Sequence, residues 1–388
     1  MSHATSEEKD FLHVIIIGNG FDLAHGLETK YTDFSNSYAF YHNVWFDRFL
    51  LTYLLKRTGV LKKNRGNWFN LEQEIYDFIL NPYSDRELIE EIDNNHNNIL
   101  SQLYYTDGGL VVTFEVCYKT FRLFSLRDFF KHQCQIDETT AIEKLYESSE
   151  PHKGNLYGLR SFIEAFAEYL SQIVSKPIET LIQKPKFHFC LKELEEQNTN
   201  FQKHKLWVLN FNYTQTFEQL YEKTLTERGV EVEHCHIHGS LKEGNLVLGC
   251  QSFTPDDKID PAWNIFTKHH QRHRYGTIDR YQDLLKELSH FKGEIAFHIL
   301  GHSLDQADHA ILKHALCSSH NTAVQDSFIT VYYHDEEAHL RLINNITDII
   351  GEEAVMARVR FIHQHDQKRG ILRHLKKPHE ENGKVCSH

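Results

Sequence analysis

The sequence predicts an α/β fold in which a parallel sheet is interrupted by a large helical insertion. Three observations predict it. Short, wholly apolar runs alternate with helical patterns at both ends of the chain. Between about residues 38 and 203 there is almost no strand signal, and the patterns found there are those of amphipathic helices. Strands that are apolar along their whole length and separated by helices imply a mostly parallel sheet covered on both faces.

Taken in order, Phe11–Ile17 (FLHVIII) reads as the first strand, and Gly18-Asn19-Gly20 after it opens a helix. Lys205–Phe211 (KLWVLNF) is another strand, followed by a helical segment over Thr214–Glu227. VEHCHIHG and NLVLG, residues 232–239 and 245–249, read as two short strands. Gly293–Gly301 (GEIAFHILG) is a further buried strand leading into the helix DQADHAILKHAL. SFITVYYH, EEAHLRLINNITDIIG and ARVRFIH complete a strand–helix–strand alternation. In the middle stretch the clearest helix is LRSFIEAFAEYLSQIV, whose Leu159, Phe162, Ile163, Phe166, Tyr169, Leu170 and Ile173 share one face. The expected organisation is a discontinuous sheet domain (1–37 and 204–365), a helical insertion (38–203) and a polar, frayed tail (366–388).

At 388 residues the chain is long enough for a large core. No apolar run reaches the roughly 18 residues of a spanning helix. The start, MSHATSEEKDF, lacks the basic-then-apolar order of a signal peptide, so a cytoplasmic protein with no membrane partner is expected. Seven scattered cysteines with no C-x-x-C pair suit a reducing compartment and form no zinc ribbon. A net charge of -12 argues against nucleic-acid binding. The basic cluster KHHQRHR, Lys268–Arg274, reads as a solvated loop, with contact to the phosphates of a ligand or nucleic acid as the alternative.

Four polar or glycine-rich segments each end a strand: GNGFDLAHG (Gly18–Gly26), NFNYT (Asn210–Thr214), HIHGS (His236–Ser240) and GHSLDQAD (Gly301–Asp308). Ligands of open α/β sheets bind at the carboxyl ends of the strands, so the four can converge there. Gly18 and Gly20 would permit positive φ and bring amides near a phosphate ahead of a helix N-terminus; a tight packing turn is the alternative. Asn212 has an amide donor and acceptor for a polar ligand, or is a turn asparagine. His238 titrates near neutrality and suits a general base. His236 and His238, two apart on a strand, would share a face, which leaves a metal pair open. Asp308 or Asp22 could orient a histidine, and Asp308 at a helix start equally suits the helix dipole. Glu72 reads as an ordinary acid near a helix start, with a buried functional carboxylate as the alternative.

These segments carry a resemblance. Gly18-Asn19-Gly20-Phe21-Asp22 with Gly26-Leu27 resembles the sirtuin opening Gly-Ala-Gly-x-Ser and Gly-Ile. NFNYT resembles the sirtuin-like strand end whose central asparagine, here Asn212, enters the NAD pocket. HIHG resembles its His-Gly and implies a catalytic His238, and GHSL resembles the segment that lines the cofactor site, here Gly301 and Ser303. The whole set is most similar to the AbiH family of bacterial abortive-infection proteins. The resemblance implies a sirtuin-like Rossmann-type sheet with NAD as substrate. It implies catalytic Asn212 and His238, with Gly18, Asn19, Gly20, Phe21, Asp22, Gly301, Ser303 and Asp308 around the nucleotide. A sirtuin deacetylase carries a cysteine quartet for zinc that is absent here, and Asp22 replaces a small hydroxyl residue. The implied activity is therefore NAD cleavage in phage defence rather than deacetylation. Activation by a phage-derived trigger or a partner defence protein, and a homo-oligomer, belong to the same expectation. The alternatives are a module that binds a nucleotide without turnover and a metal-dependent phosphoesterase or nuclease built on His236 and His238.

Overall fold

A computed structural model describes residues 11–34, 71–80, 104–106, 109–111, 151–175, 204–227, 229–317 and 321–363. In chain order these give β1 (Phe11–Ile17), α1 (Asn19–Ala24), α2 (Tyr31–Phe34), α3 (Leu71–Leu80), β2 (Tyr104–Thr106), β3 (Gly109–Val111) and α4 (Pro151–Val174). Then come β4 (His204–Asn210), a π-helical turn (Glu218–Glu222) continued by α5 (Lys223–Glu227), β5 (Glu231–His236), α6 (Lys268–Tyr275) and α7 (Asp279–His290). The rest is β6 (Glu294–Leu300), α8 (His309–Leu316), α9 (Thr322–Gln325), β7 (Phe328–Tyr333), α10 (Glu336–Ile350), α11 (Glu352–Arg358) and β8 (Val359–His363).

The protein is α/β, with six strands in the order β5-β4-β1-β6-β7-β8 and every neighbouring pair parallel. This is a doubly wound order: the chain builds outward from β1 to β5, then returns to the other side of β1 with β6. The first strand is thus central, and its partners lie far along the chain, Ile17 pairing with both Asn210 and Leu300. Register aligns the strand ends in one row: His236, Asn210, Ile17, Leu300, Tyr332 and Ile362. Each segment that follows a strand in this row therefore leaves the sheet at the same edge.

Alternation divides the strands between two apolar layers. Leu12, Val14, Ile16, Trp207, Leu209, Phe297 and Ile299 pack with Leu284 and Leu288 of α7, Leu312 of α8 and Ile346 of α10. Ile15, Ile17, Val208 and Leu300 pack on the other face with Phe21, Phe217 and Leu225. Both faces of β1 are covered, which is why its sequence is a continuous apolar run rather than an alternating one.

The chain divides into two compact units, one of residues 1–29, 170–247 and 272–388, the other of residues 30–169 and 248–271. In the second, Tyr31 and Phe34 of α2 pack against Phe166 of α4 with tilted rings, centroids 5.0 and 5.1 Å away. The apolar face expected on α4 is the buried one, with Ile163 only half-buried. Of the expected insertion, 38–203, two helices and the antiparallel β2–β3 hairpin are described. That short strand pair lies where only helices were expected. The remaining insertion residues and the tail, 366–388, lie outside the described residues.

Two expectations are corrected. NLVLG is not a strand, because its Leu248 is paired by a side chain: Gln271 receives the Leu248 N–H at 3.0 Å and donates to its carbonyl at 2.9 Å. KHHQRHR is not a solvated loop but α6, with Lys268, Gln271 and Arg272 buried. Lys268 is only 1% exposed and is matched by Glu72 at 2.7 Å, so that carboxylate serves a buried ion pair.

Candidate functional site

The turn after β1 is pinned by the segment after β6. Gly18 N–H donates to the Leu300 carbonyl (3.2 Å) and Gly20 N–H to that of Gly301 (2.8 Å). A Cβ on Gly18 would stand 2.7 Å from His302 Cα, and one on Gly20 2.8 Å from Gly301 Cα. These two glycines are required because backbone lies on backbone; neither has the positive φ expected of them, whereas Gly301 does, at 62°. The amides expected to face a phosphate are held by carbonyls in this arrangement. Asn19 accepts from the Thr29 hydroxyl at 2.5 Å, and the Phe21 ring is wholly buried in the second apolar layer.

Asp22 follows with its side chain turned inward. It is 1% exposed, its Oδ2 accepts from the Thr214 hydroxyl at 2.6 Å, and its Oδ1 has no hydrogen-bond partner. Burial pushes its carboxyl up to about 6, against the opposing hydrogen bonds of Thr214, Thr216 and Asn212 and with the aid of the Glu218 charge.

The NFNYT turn after β4 is self-bonded. Asn210 Oδ1 accepts from the Asn212 N–H at 2.8 Å. The Asn212 amide then donates to the Gly18 carbonyl at 3.0 Å, which ties the turns after β1 and β4 together. Asn212 is 5% exposed.

His236 and His238 do not share a face, as the two-residue spacing suggested, because β5 ends at His236 and Ile237–His238 form a turn. His236 Nε2 lies 2.6 Å from Glu218. His238 instead joins Arg272 and Asp308, among residues that pack with the first layer. The two histidines have different partners and no common coordination point. Among the described residues no group of three or more His, Cys, Asp or Glu is placed to hold a metal ion.

His238 Nδ1 lies 3.1 Å from the Phe211 carbonyl oxygen, which only accepts, so Nδ1 carries a hydrogen. In the neutral ring the remaining lone pair is at Nε2. Arg272 Nη2 stands 3.0 Å from that nitrogen and 2.6 Å from Asp308 Oδ1, and Asp308 Oδ1 is 3.0 Å from Nε2. All three side chains are buried. Asp308 opens α8, yet its carboxylate makes no capping bond, so it serves the triad rather than the helix end. His302 lies edge-on to Phe211 at 4.2 Å, with Nε2 3.9 Å from Asp308. Ser303 donates to Asp305 at 2.6 Å.

The sequence reading therefore names His238 and Asp308, which the structure joins, and Asn212, which it joins to Gly18. It misses Arg272 and His302. Arg272 stands inside the basic cluster that was noticed; His302 is the unused letter of GHSL. It also misses a polar cavity of about 680 Å³ beside β5, lined by Glu218, Glu222, His234, His236, Lys242 and Arg280 among others. The alternation of His234 and His236, facing Glu218 and Glu222 one turn apart, was its available signal.

No helix among the described residues is long and apolar enough to cross a membrane. No curated protein and no solved structure matches the chain. A family model described as bacteriophage abortive infection AbiH matches residues 14–333. With its matched region spanning the β1 turn, the NFNYT turn, the His238 turn and the Asp308 segment, the chain belongs to the AbiH family of bacteriophage abortive-infection proteins.

Proposed function

We propose that this abortive-infection protein is a sirtuin-like NAD glycohydrolase, which cleaves the nicotinamide–ribose bond when triggered. The observation that carries the proposal is the strand order. The winding reverses between β1 and β6, and doubly wound sheets bind dinucleotides outside the strand ends at that point. Gly18–Asp22 and Gly301–Asp308 leave the sheet on either side of the reversal, and Asn212 and His238 leave the neighbouring strands at the same edge.

In the reaction, the oxygen of water bonds to the anomeric carbon while the carbon–nitrogen bond breaks. Nicotinamide departs neutral with the electron pair, and the water loses a proton. His238 Nε2 is the base that takes it, its ring oriented by the Nδ1–H bond to Phe211. Asn212 orients a ribose hydroxyl or the water, which matters more than nucleophile strength in an oxocarbenium-like reaction. Gly18, Asn19, Gly20, Phe21, Asp22, Gly301, Ser303 and Asp308 form the nucleotide surround. A phage-derived trigger or partner defence protein, and assembly into a homo-oligomer, would govern its onset.

A second reading, a module that binds a nucleotide without turning it over, draws support from the occupied Nε2 of His238. Incubating the pure protein with NAD, with and without chelator, separates the readings. NAD loss in both conditions supports the hydrolase, and binding without loss supports the sensor. Chelator-sensitive cleavage of phosphodiesters would instead revive a metal phosphoesterase. Under the hydrolase reading Asn212→Ala and His238→Ala each lower turnover roughly 10²–10⁴-fold, while His236→Ala retains most of it. Full turnover in both of the first two variants would end the proposal.

A further inference from the structure

We propose that Arg272 is a latch on His238, holding the imidazole inactive until a phosphate-bearing ligand takes the guanidinium away. The inference rests on the NAD reading only for what His238 does once uncovered. Its starting point is an acceptor already occupied. Nδ1 of His238 is committed to the Phe211 carbonyl, so in the neutral ring Nε2 holds the single lone pair, with Asp308 Oδ1 also 3.0 Å away. Arg272 Nη2, 3.0 Å from it, can only donate, and so it covers the atom a base would use. A guanidinium does not give up its proton in a protein, so proton transfer cannot clear the block. The side chain has to move.

The same geometry shows what keeps it there and what would move it. Asp308, 2.6 Å from Nη2, holds the guanidinium in place and is itself buried. Arg272 is 4% exposed, and its Nε has no hydrogen-bond partner, so the latched position leaves one buried donor unmet. A phosphate offers two acceptor oxygens to the Nε–Nη edge and satisfies it in a bidentate manner. Phosphates approaching the strand ends would thus draw Arg272 from Nε2 and leave Asp308 beside a freed His238. This makes Arg272 a positioning residue, which acts on the reaction through His238.

The test reads Nε2 directly, by the rate at which diethyl pyrocarbonate acylates His238, followed by peptide mass spectrometry on the full chain. Arg272→Met keeps the aliphatic stem and removes the donors. His238 labelling should rise about tenfold or more, the factor expected on removing one charge-assisted hydrogen bond, with His236 and His302 unchanged. Inorganic pyrophosphate should raise His238 labelling in the parent and not in Arg272→Met. If Arg272→Met loosens the fold, so that all three histidines label faster, Arg272→Met/Asp308→Asn removes both buried charges and repeats the measurement. Unchanged His238 labelling in a folded variant overturns the latch. A rise in Arg272→Met with no response to pyrophosphate overturns release by phosphate alone. NAD turnover, measured on the same samples, keeps the two ideas apart: faster labelling without turnover leaves the latch standing and removes the hydrolase.

Discussion

Replacing Asp22 by asparagine should stabilise the protein near neutral pH and leave it unchanged in acid. In the unfolded chain this carboxyl ionises near its ordinary 3.8, whereas burial in the fold raises it to about 6. Between those values the unfolded state has released the proton that the folded state keeps, so this group's contribution to stability falls as pH rises through the window. Above it the fold holds a buried carboxylate, and a separation of that size corresponds to about 3 kcal/mol. Asparagine keeps the acceptor for the Thr214 hydroxyl and cannot ionise. Its NH2 inherits the unpartnered position of Oδ1, as the hydroxyl of the protonated acid does, so that cost cancels in the comparison. The expected gain for Asp22→Asn is about 2–3 kcal/mol at about pH 7.5, shrinking to about zero near pH 4. Urea titrations of parent and variant at both pH values measure it, since other titrating groups cancel in the difference at fixed pH. An effect of the same size at both pH values, or a loss that is larger at the higher pH, would refute the reasoning. The second result would mean that the carboxylate is stabilised as an anion.

Two other outcomes follow from the same kind of argument. Gly301→Ala should cost more than about 3 kcal/mol, because φ is 62° and a Cβ would meet Phe21 N at 2.2 Å; Gly26→Ala, at φ 82° with nothing within 4 Å, should cost only about 1 kcal/mol. Thermal melts that rank the two equally would contradict the packing assigned to the β1–β6 contact. His298 is held neutral by burial, its pKa lowered to about 4, so its ring proton resonances should stay constant from about pH 8 down to about pH 5.5. The unfolded chain takes up this proton near 6.5 and the fold does not, so stability should decline as pH falls between those two values.

The strands were legible because burial on both faces leaves mostly apolar residues in FLHVIII, KLWVLNF and EIAFHILG. Their order was not, since nothing local in FLHVIII says that it lies between strands two and three hundred residues away. Helix α6 was invisible for a different reason: KHHQRHR has no apolar stripe, and its inward face consists of Lys268, Gln271 and Arg272, each in contact with a polar partner. NLVLG shows the converse error, an apolar run that reads as a strand although a glutamine side chain supplies its pairing. At the site, His238 and Asp308 stood out because each follows a strand in a polar segment. Arg272 could be noticed only as one charge among several, for its meaning comes from a contact with a histidine thirty-four positions earlier.

The central position of β1 also bears on how the protein is born. Ile17 leaves the ribosome early, but its neighbour Asn210 follows roughly 190 residues later, a delay of roughly 10–40 seconds at ordinary translation speed. Contacts so distant in sequence close slowly and late. During that interval the strand has neither of its neighbours, and its apolar side chains stay open to aggregation. The polar triad is later still, because His238 and Arg272 have no Asp308 until the second half of the sheet is being made.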